Sequence, residues 1–598
     1  MFQTFEVASN PEQGPPRLAA LRGALGPAGL GGFIVPRADA HRGEYVAPAD
    51  ARLAWLTGFT GSAGFAVVLD ETAAIFVDGR YRVQVRSEVD PVFAPVDWPE
   101  TSLADWLIAH APAGAVIGFD PWLHSAGEIA KLREALEKEG IALKPAPNLV
   151  DGLWEDRPAP PAAPFFAQPE ELAGESAADK RARLAGELRE AGQRAALLTL
   201  PDSIAWLLNI RGRDIERNPV PHAFALLHDD ARVELFCGPG KADAVADHLG
   251  PEVAILPADG LVAALQDLDG PVRYDPASAP ERLAEALGDR GVEGPDPCLL
   301  PKAIKNPVEI AGMRVAHLRD GAAMVRFLAW LDAEAPKGGL TETAVVRELE
   351  AFRRATNALE DISFETICGA GEHGAIVHYR VNEKTDRSVR PGELLLVDSG
   401  GQYRDGTTDI TRTIAVGPPP EGAAEAYTAV LRGMVALSRA RFPKGVTGAH
   451  LDALARFPLW LKGMDYDHGT GHGVGAYLSV HEGPQRFSRT SHDIALEPGM
   501  VLSNEPGHYR EGAYGIRIEN LVVVEEAEAL PTSDPGRMHL SFETLTFVPF
   551  DRRLILAEVM APDERAWIDS YHAEVLDRIG PQVDGAAKDW LEAACAPL

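Results

Sequence analysis

The sequence predicts an α/β (α+β) protein with two related N-terminal α/β domains followed by a larger C-terminal domain. Three observations predict it. At 598 residues the chain is too long to close around one hydrophobic core. A pattern of apolar strand ending in proline, Trp-containing turn and apolar hairpin strand occurs twice in the first half. Beyond about residue 390 the pattern changes to strands and loops dense in Asp, Glu, His and Gly.

The elements follow in order. Arg17–Leu25 has helical periodicity, and Gly32–Pro36 is a buried strand. Gly64–Leu69 and Ala73–Val77 form a hairpin around Asp70 and Glu71. Ser102–His110 and Ala126–Lys138 are helical, and the Pro/Ala-rich stretch Asp156–Ala167 is a linker. The second copy opens with a helix at Ala177–Ala191 and a strand at Ala195–Leu200. Its phrases LLTLP (197–201), IAWLL (204–208) and HAFALL (222–227) echo GFIVP (32–36), LAWLTG (53–58) and GFAVVL (64–69). The third segment opens with helices at Pro307–Ala333 and Thr341–Ala355, and is helical again at Glu421–Ala440. A helical tail from about residue 549 carries Trp567, Ile568, Tyr571, Val575 and Ile579 at helical spacing, a pattern of core rather than of a site. The expected domains are 1–158, 159–306 and 307–598.

Composition narrows the function classes. Hydrophobic content of 46% and charged content of 24% are those of a globular protein. A net charge of -31 argues against a nucleic-acid partner, because a polyanion is repelled. No apolar run reaches the ~18 residues of a membrane span, and the N-terminal stretch has neither the basic nor the apolar region of a signal peptide. Cys237, Cys298, Cys368 and Cys595 are scattered without C-x-x-C spacing, which fits a reducing compartment and a cytoplasmic location.

The chemistry is concentrated in Asp398, Asp409, His472, Glu505 and Glu519. They sit in the phrases LLLVDSG, TTDITRT, HGTGHGVG, SNEPG and IRIEN. Four carboxylates and one imidazole suffice for two divalent metals about 3.5–4 Å apart if some carboxylates bridge. An oxygen-rich set with one nitrogen and no thiolate suits Mn²⁺, Co²⁺, Fe²⁺ or Zn²⁺ and points to metal-assisted hydrolysis. The Asp405-Gly406 turn lies near the midpoint between the two aspartates, so a hairpin is expected to set Asp398 opposite Asp409. Arg517 and Glu519 share one strand face, where the arginine can balance an acidic ligand set. Gly471–Ala476 fits a loose dinucleotide fingerprint, but no strand–turn–helix unit surrounds it. H-E-x-x-H is absent.

Together with HEGP (481–484), these ordered phrases resemble the pita-bread metallopeptidases: methionine aminopeptidase, prolidase, creatinase and aminopeptidase P. They are most similar to the long, three-domain form of aminopeptidase P, and the resemblance covers nearly the whole chain. It implies a pita-bread catalytic domain behind two creatinase-N-like domains. It implies that Asp409 and Glu519 bridge two metals, most often Mn²⁺, that Asp398 completes one shell, and that His472 and Glu505 complete the other. A hydroxide between the metals is then the nucleophile and Glu505 the proton acceptor. His378 contacts substrate near the scissile bond, His481 binds the scissile carbonyl or its oxyanion, and His468 lines a proline pocket. The implied activity is release of the N-terminal residue ahead of proline, by a homodimer. Prolidase-like X-Pro dipeptidase activity and a non-catalytic peptide-binding role are the alternatives.

Overall fold

The computed structural model describes residues 1–598. The chain forms two compact units, Ala8–Leu299 and Leu300–Leu598, the latter joined by Met1–Val7.

The first unit holds two six-stranded sheets of one topology. In the first, Gly32–Pro36 runs antiparallel to Phe65–Leu69, Gly32 opposite Leu69, and parallel to Val116–Phe119. In the second, Ala195–Leu198 stands in the same relation to Ala223–His228 and Val272–Tyr274. The outer strands also correspond: Ala73–Val77 with Ala94–Asp97 in one copy, Val233–Cys237 with Val253–Pro257 in the other, parallel in both. The repeat is thus a repeat of fold. The Trp-containing segments are not turns, as the sequence pattern suggested, but the helices Arg52–Thr57 and Pro201–Leu208. Their apolar residues recur at helical spacing and pack down, so Leu53, Leu56, Ile204 and Leu208 are fully buried.

The second unit begins with a long helix, Pro307–Glu334. Its start is fixed by Asn306, whose side chain accepts from the Val308 and Glu309 amides while Glu309 returns to the Asn306 amide. Three antiparallel strands, Ile367–Ala370, Glu393–Ser399 and Ile410–Val416, form one sheet. A six-stranded sheet includes Val501–Asn504, Gly471–Gly473, Glu482–Phe487 and Asn520–Glu526. The tail helix Pro562–Ile579 buries Ile568, Tyr571, Val575 and Ile579 in the core of this unit, as their spacing predicts. The N-terminal segment adds Phe5 to the core beside Met324 and Phe327. Gln3 exchanges two hydrogen bonds with the Thr366 backbone at 2.9 and 3.2 Å.

Candidate metal centre

Two sheets of the second unit deliver carboxylates to one place. Asp398 lies at the end of Glu393–Ser399, opposite Thr411 rather than Asp409. The expected simple hairpin is interrupted. Gly401–Tyr403 and Gly406–Thr407 pair with each other around Arg404 and Asp405 as a short separate ladder. Asp409 falls in the break before Ile410–Val416 resumes. Residues two apart share a strand face, so Asp409 reaches the Asp398 side of the sheet diagonally.

Glu505 follows the strand Val501–Asn504, and its amide donates to the Thr470 carbonyl at 2.8 Å. Glu519 sits between Tyr514–Arg517 and Asn520–Glu526 and accepts from Thr411 Oγ1 at 2.8 Å. His472 is the middle residue of Gly471–Gly473, with Nε2 3.5 Å from Asp409 Oδ2 and 3.4 Å from Glu505 Oε1. Its Nδ1 lies 2.9 Å from the Gly473 carbonyl, which directs Nε2 at the carboxylates. Gly471 is required because a Cβ there would stand 1.9 Å from the Ser503 carbonyl oxygen. No helix follows this strand, so the dinucleotide-like spelling is only a spelling.

Ligand atoms converge in overlapping triples whose members lie within 4.8 Å of one another: Asp398, Asp409 and Glu519; His472, Glu505 and Glu519; Asp409, His472 and His481. All five residues singled out in the sequence are therefore in one cluster, with His481 at its edge. The His481 and His472 rings meet edge to face at 4.3 Å. His468 lies outside the three triples, with Nε2 2.9 Å from the Tyr509 hydroxyl. His378 is half-buried and outside the three triples.

The electrostatics are those of an acidic nest. Burial pushes the Glu505 carboxyl up to about 6, against the pull of His472 and Arg517. Burial and then Asp409 push Glu519 well above the ordinary range, and Asp398 is raised by burial despite Arg517. Burial lowers His472, but its hydrogen bond to Asp409 and the charge of Glu505 outweigh that and carry it to about 9. Three buried oxygens, Asp398 Oδ1, Asp409 Oδ1 and Glu519 Oε1, have no hydrogen-bond partner. Buried carboxylate oxygens without donors, close together, are costly unless a cation meets them. The donor set fits hard or borderline divalent cations.

Arg517 is buried, not the exposed strand arginine that an Arg–Glu alternation usually denotes. Its Nη2 is 2.5 Å from Asp398 Oδ2, and its Nη1 donates to the Tyr509 hydroxyl at 2.6 Å. Sequence reasoning missed Thr411, Ser503 and Tyr509. Thr411 was in plain view, two residues beyond Asp409 and so on the same face.

Comparison with known proteins agrees with this geometry. "Probable Xaa-Pro aminopeptidase P" of Fusarium vanettenii is 40% identical over 598 residues, spanning 95% of this chain and 96% of the relative. The profile of metallopeptidase family M24 matches residues 311–526. This chain belongs to metallopeptidase family M24, in its aminopeptidase P group. The creatinase/prolidase N-terminal domain matches this M24 chain twice, at 17–153 and 156–309, and the C-terminal region of M24 peptidases matches 538–598. "Aminopeptidase P2" of Arabidopsis thaliana is 37% identical over 628 residues, 97% of the M24 chain and 88% of the relative. Among solved structures, the X-prolyl aminopeptidase of Caenorhabditis elegans superposes with a TM-score of 0.94 at 33% identity. It covers 98% of the M24 chain and 100% of its own, and is described as a cytosolic enzyme with a di-nuclear active site.

Proposed function

We propose that this chain is a metal-dependent Xaa-Pro aminopeptidase that releases the N-terminal residue from peptides with proline second. The observation that carries the reading is the cluster of five ligand residues with three buried carboxylate oxygens left without a donor. Asp409 and Glu519 would hold both cations, Asp398 would complete one shell, and His472 and Glu505 the other; Mn²⁺ is the metal we favour. Two divalent cations, when bound, polarise a carbonyl and lower the pKa of water.

The chain's own residues supply the rest. Glu505 accepts the proton of the attacking water, a task suited to a carboxyl held near 6. His481, beside His472, donates to the scissile carbonyl oxygen as negative charge develops there. Arg517 fixes Asp398 and balances its charge. His378 and His468 flank the bound proline. An X–Pro amide has no N–H, so peptidases that need that donor process it poorly, whereas polarisation of the carbonyl does not require it.

We also propose a three-part division near residues 158 and 306, a cytoplasmic location and a homodimer. The homodimer reading is supported by an apolar row on the helix Gly448–Trp460 and just beyond it, where Phe457 is 56% and Leu461 68% exposed beside Leu454 and Trp460.

The test compares Arg-Pro-Pro with Arg-Ala-Pro under Mn²⁺ by release of free arginine. Loss of the proline ring and an unpaired N–H together predict at least ~10²-fold preference in kcat/KM. Equal rates leave a general aminopeptidase. X-Pro dipeptides cut as fast as tripeptides leave a prolidase.

A further inference from the structure

The residue after His481 carries a buried charge that the proposed chemistry does not use. The Glu482 side chain has no solvent exposure, and its Oε2 lies 2.7 Å from Lys302 Nζ. Its Oε1 meets Lys305 Nζ, and both lysine side chains are only 1% exposed. Lys305 Nζ also donates to the Lys302 carbonyl at 2.9 Å. Glu482 belongs to none of the triples of the metal cluster.

A buried triad of one carboxylate and two ammoniums is a poor source of stability. Desolvation of three charges consumes most of the Coulomb gain, and well-packed apolar residues would serve as well. What such a triad supplies is register: a carboxylate that can sit in one place only. That place is at the elements bearing the site. Glu482 opens the strand Glu482–Phe487, with Gly473, the neighbour of His472, opposite it. The turn after His472 packs directly on Glu482: a Cβ at Gly473 would stand 2.8 Å from the Glu482 carbonyl oxygen, and one at Gly475 3.1 Å from Oε2. The lysine segment is itself fastened to the strand that leads to Glu505. The Lys305 amide donates to the Gly499 carbonyl at 2.9 Å, and Ile304 bridges Met500.

We infer that Lys302, Lys305 and Glu482 form a positioning clamp that holds the His481 imidazole edge-on to His472 and so sets its aim at the scissile carbonyl. The inference rests on the role proposed above for His481. Lys302 and Lys305 open the second unit, so the segment entering it is built into the support of the site without adding a residue to the ligand triples.

The test is a neutral variant of similar shape, Lys302→Met with Lys305→Met and Glu482→Gln, in the full-length protein. Its crystal structure is expected to show the His481 ring displaced from its contact with His472, with cation content unchanged by elemental analysis. KM for Arg-Pro-Pro should stay within about two-fold while kcat falls toward ~10²-fold, the cost of roughly 1 Å of misplacement. In a His481→Ala background the same three changes should cost nothing further, because both act through one group. An unmoved ring with wild-type kcat, an additional loss in that background, or loss of cations overturns the clamp. Should His481→Ala alone leave turnover intact, the role of His481 falls, and the ring position still decides the clamp. If the neutral variant does not fold, Glu482→Asp keeps all three charges and withdraws the carboxylate by one methylene. A shifted ring with reduced kcat is then expected, and an unshifted ring with full kcat refutes the inference.

Discussion

Without cations the buried ligand cluster should contribute less stability as pH rises, opposite in sign to carboxylates held low by an ion pair, such as Asp320. In the cation-free chain Glu505 titrates at about 6 against an ordinary 4.5. A carboxyl raised on folding binds its proton more tightly in the native state, so stability falls as pH rises from the lower value through the higher. The shift corresponds to about 2 kcal/mol. Glu519 and Asp398 are raised too and act in the same direction. His472 is raised from 6.5 to about 9, so its ion-pair stabilisation is complete below 6.5 and lost by about 9. That loss is about 3 kcal/mol. Cations bound by these groups displace the protons, so the stabilisation they confer should grow with pH. The assay is thermal unfolding with chelator or with Mn²⁺ at about pH 5, 6 and 7.5, where 1 kcal/mol moves Tm by roughly 2–4 °C in a unit of this size. The gain in Tm on adding Mn²⁺ is expected to widen by several degrees over that range. A gain that is flat or shrinks with rising pH would refute the assignment of these buried groups to the cation site.

Four further outcomes are expected. Asp409→Asn should abolish activity and strip at least one metal by elemental analysis; near-normal turnover with two metals would contradict a shared ligand. His481→Ala should keep its metals and lose ~10²–10³-fold in kcat, the cost of one donor to a developing oxyanion, and lost metal would make it a ligand instead. Phe5→Ala should destabilise the second unit by about 3–5 kcal/mol in denaturant melts, because Phe5 is buried among Met324, Phe327 and Leu328, while activity below the transition stays near normal. Phe457→Glu with Leu461→Glu should shift sedimentation from dimer to monomer, and unchanged sedimentation would place any dimer contact elsewhere.

The parts of the fold legible in the sequence are those specified locally. The helix Pro307–Glu334 announces itself through Asn306, Pro307 and Glu309, a start signal readable within four residues. Gly32–Pro36 and Ala195–Leu198 read as buried strands because every residue in them is buried, so a continuous apolar run is what the environment demands. The ligands were legible for a related reason: their neighbours cannot vary freely. At Gly471 the approach of the Ser503 carbonyl leaves no room for a Cβ, which turns a packing constraint into a spelling.

Pairing across distance has no such spelling. The turn expected at Asp405-Gly406 lies one residue earlier, at Arg404-Asp405, and closes only a short ladder, and nothing in the residues from 398 to 411 says that the register slips, leaving Asp398 opposite Thr411. The alternation places Arg517 on the face of Glu519, beside the acidic set, but it does not name Asp398, 119 positions away, as the partner. Lys302 and Glu482 are separated by 180 positions, and each alone is indistinguishable from a surface charge. Burial makes the difference: at the surface such a pair contributes little, whereas with no exposure each charge is tolerable only because the other is fixed beside it. The residues that do the chemistry, with Arg517 beside them, are written in local phrases, whereas the pairing of Lys302 and Lys305 with Glu482 is determined by tertiary contacts alone.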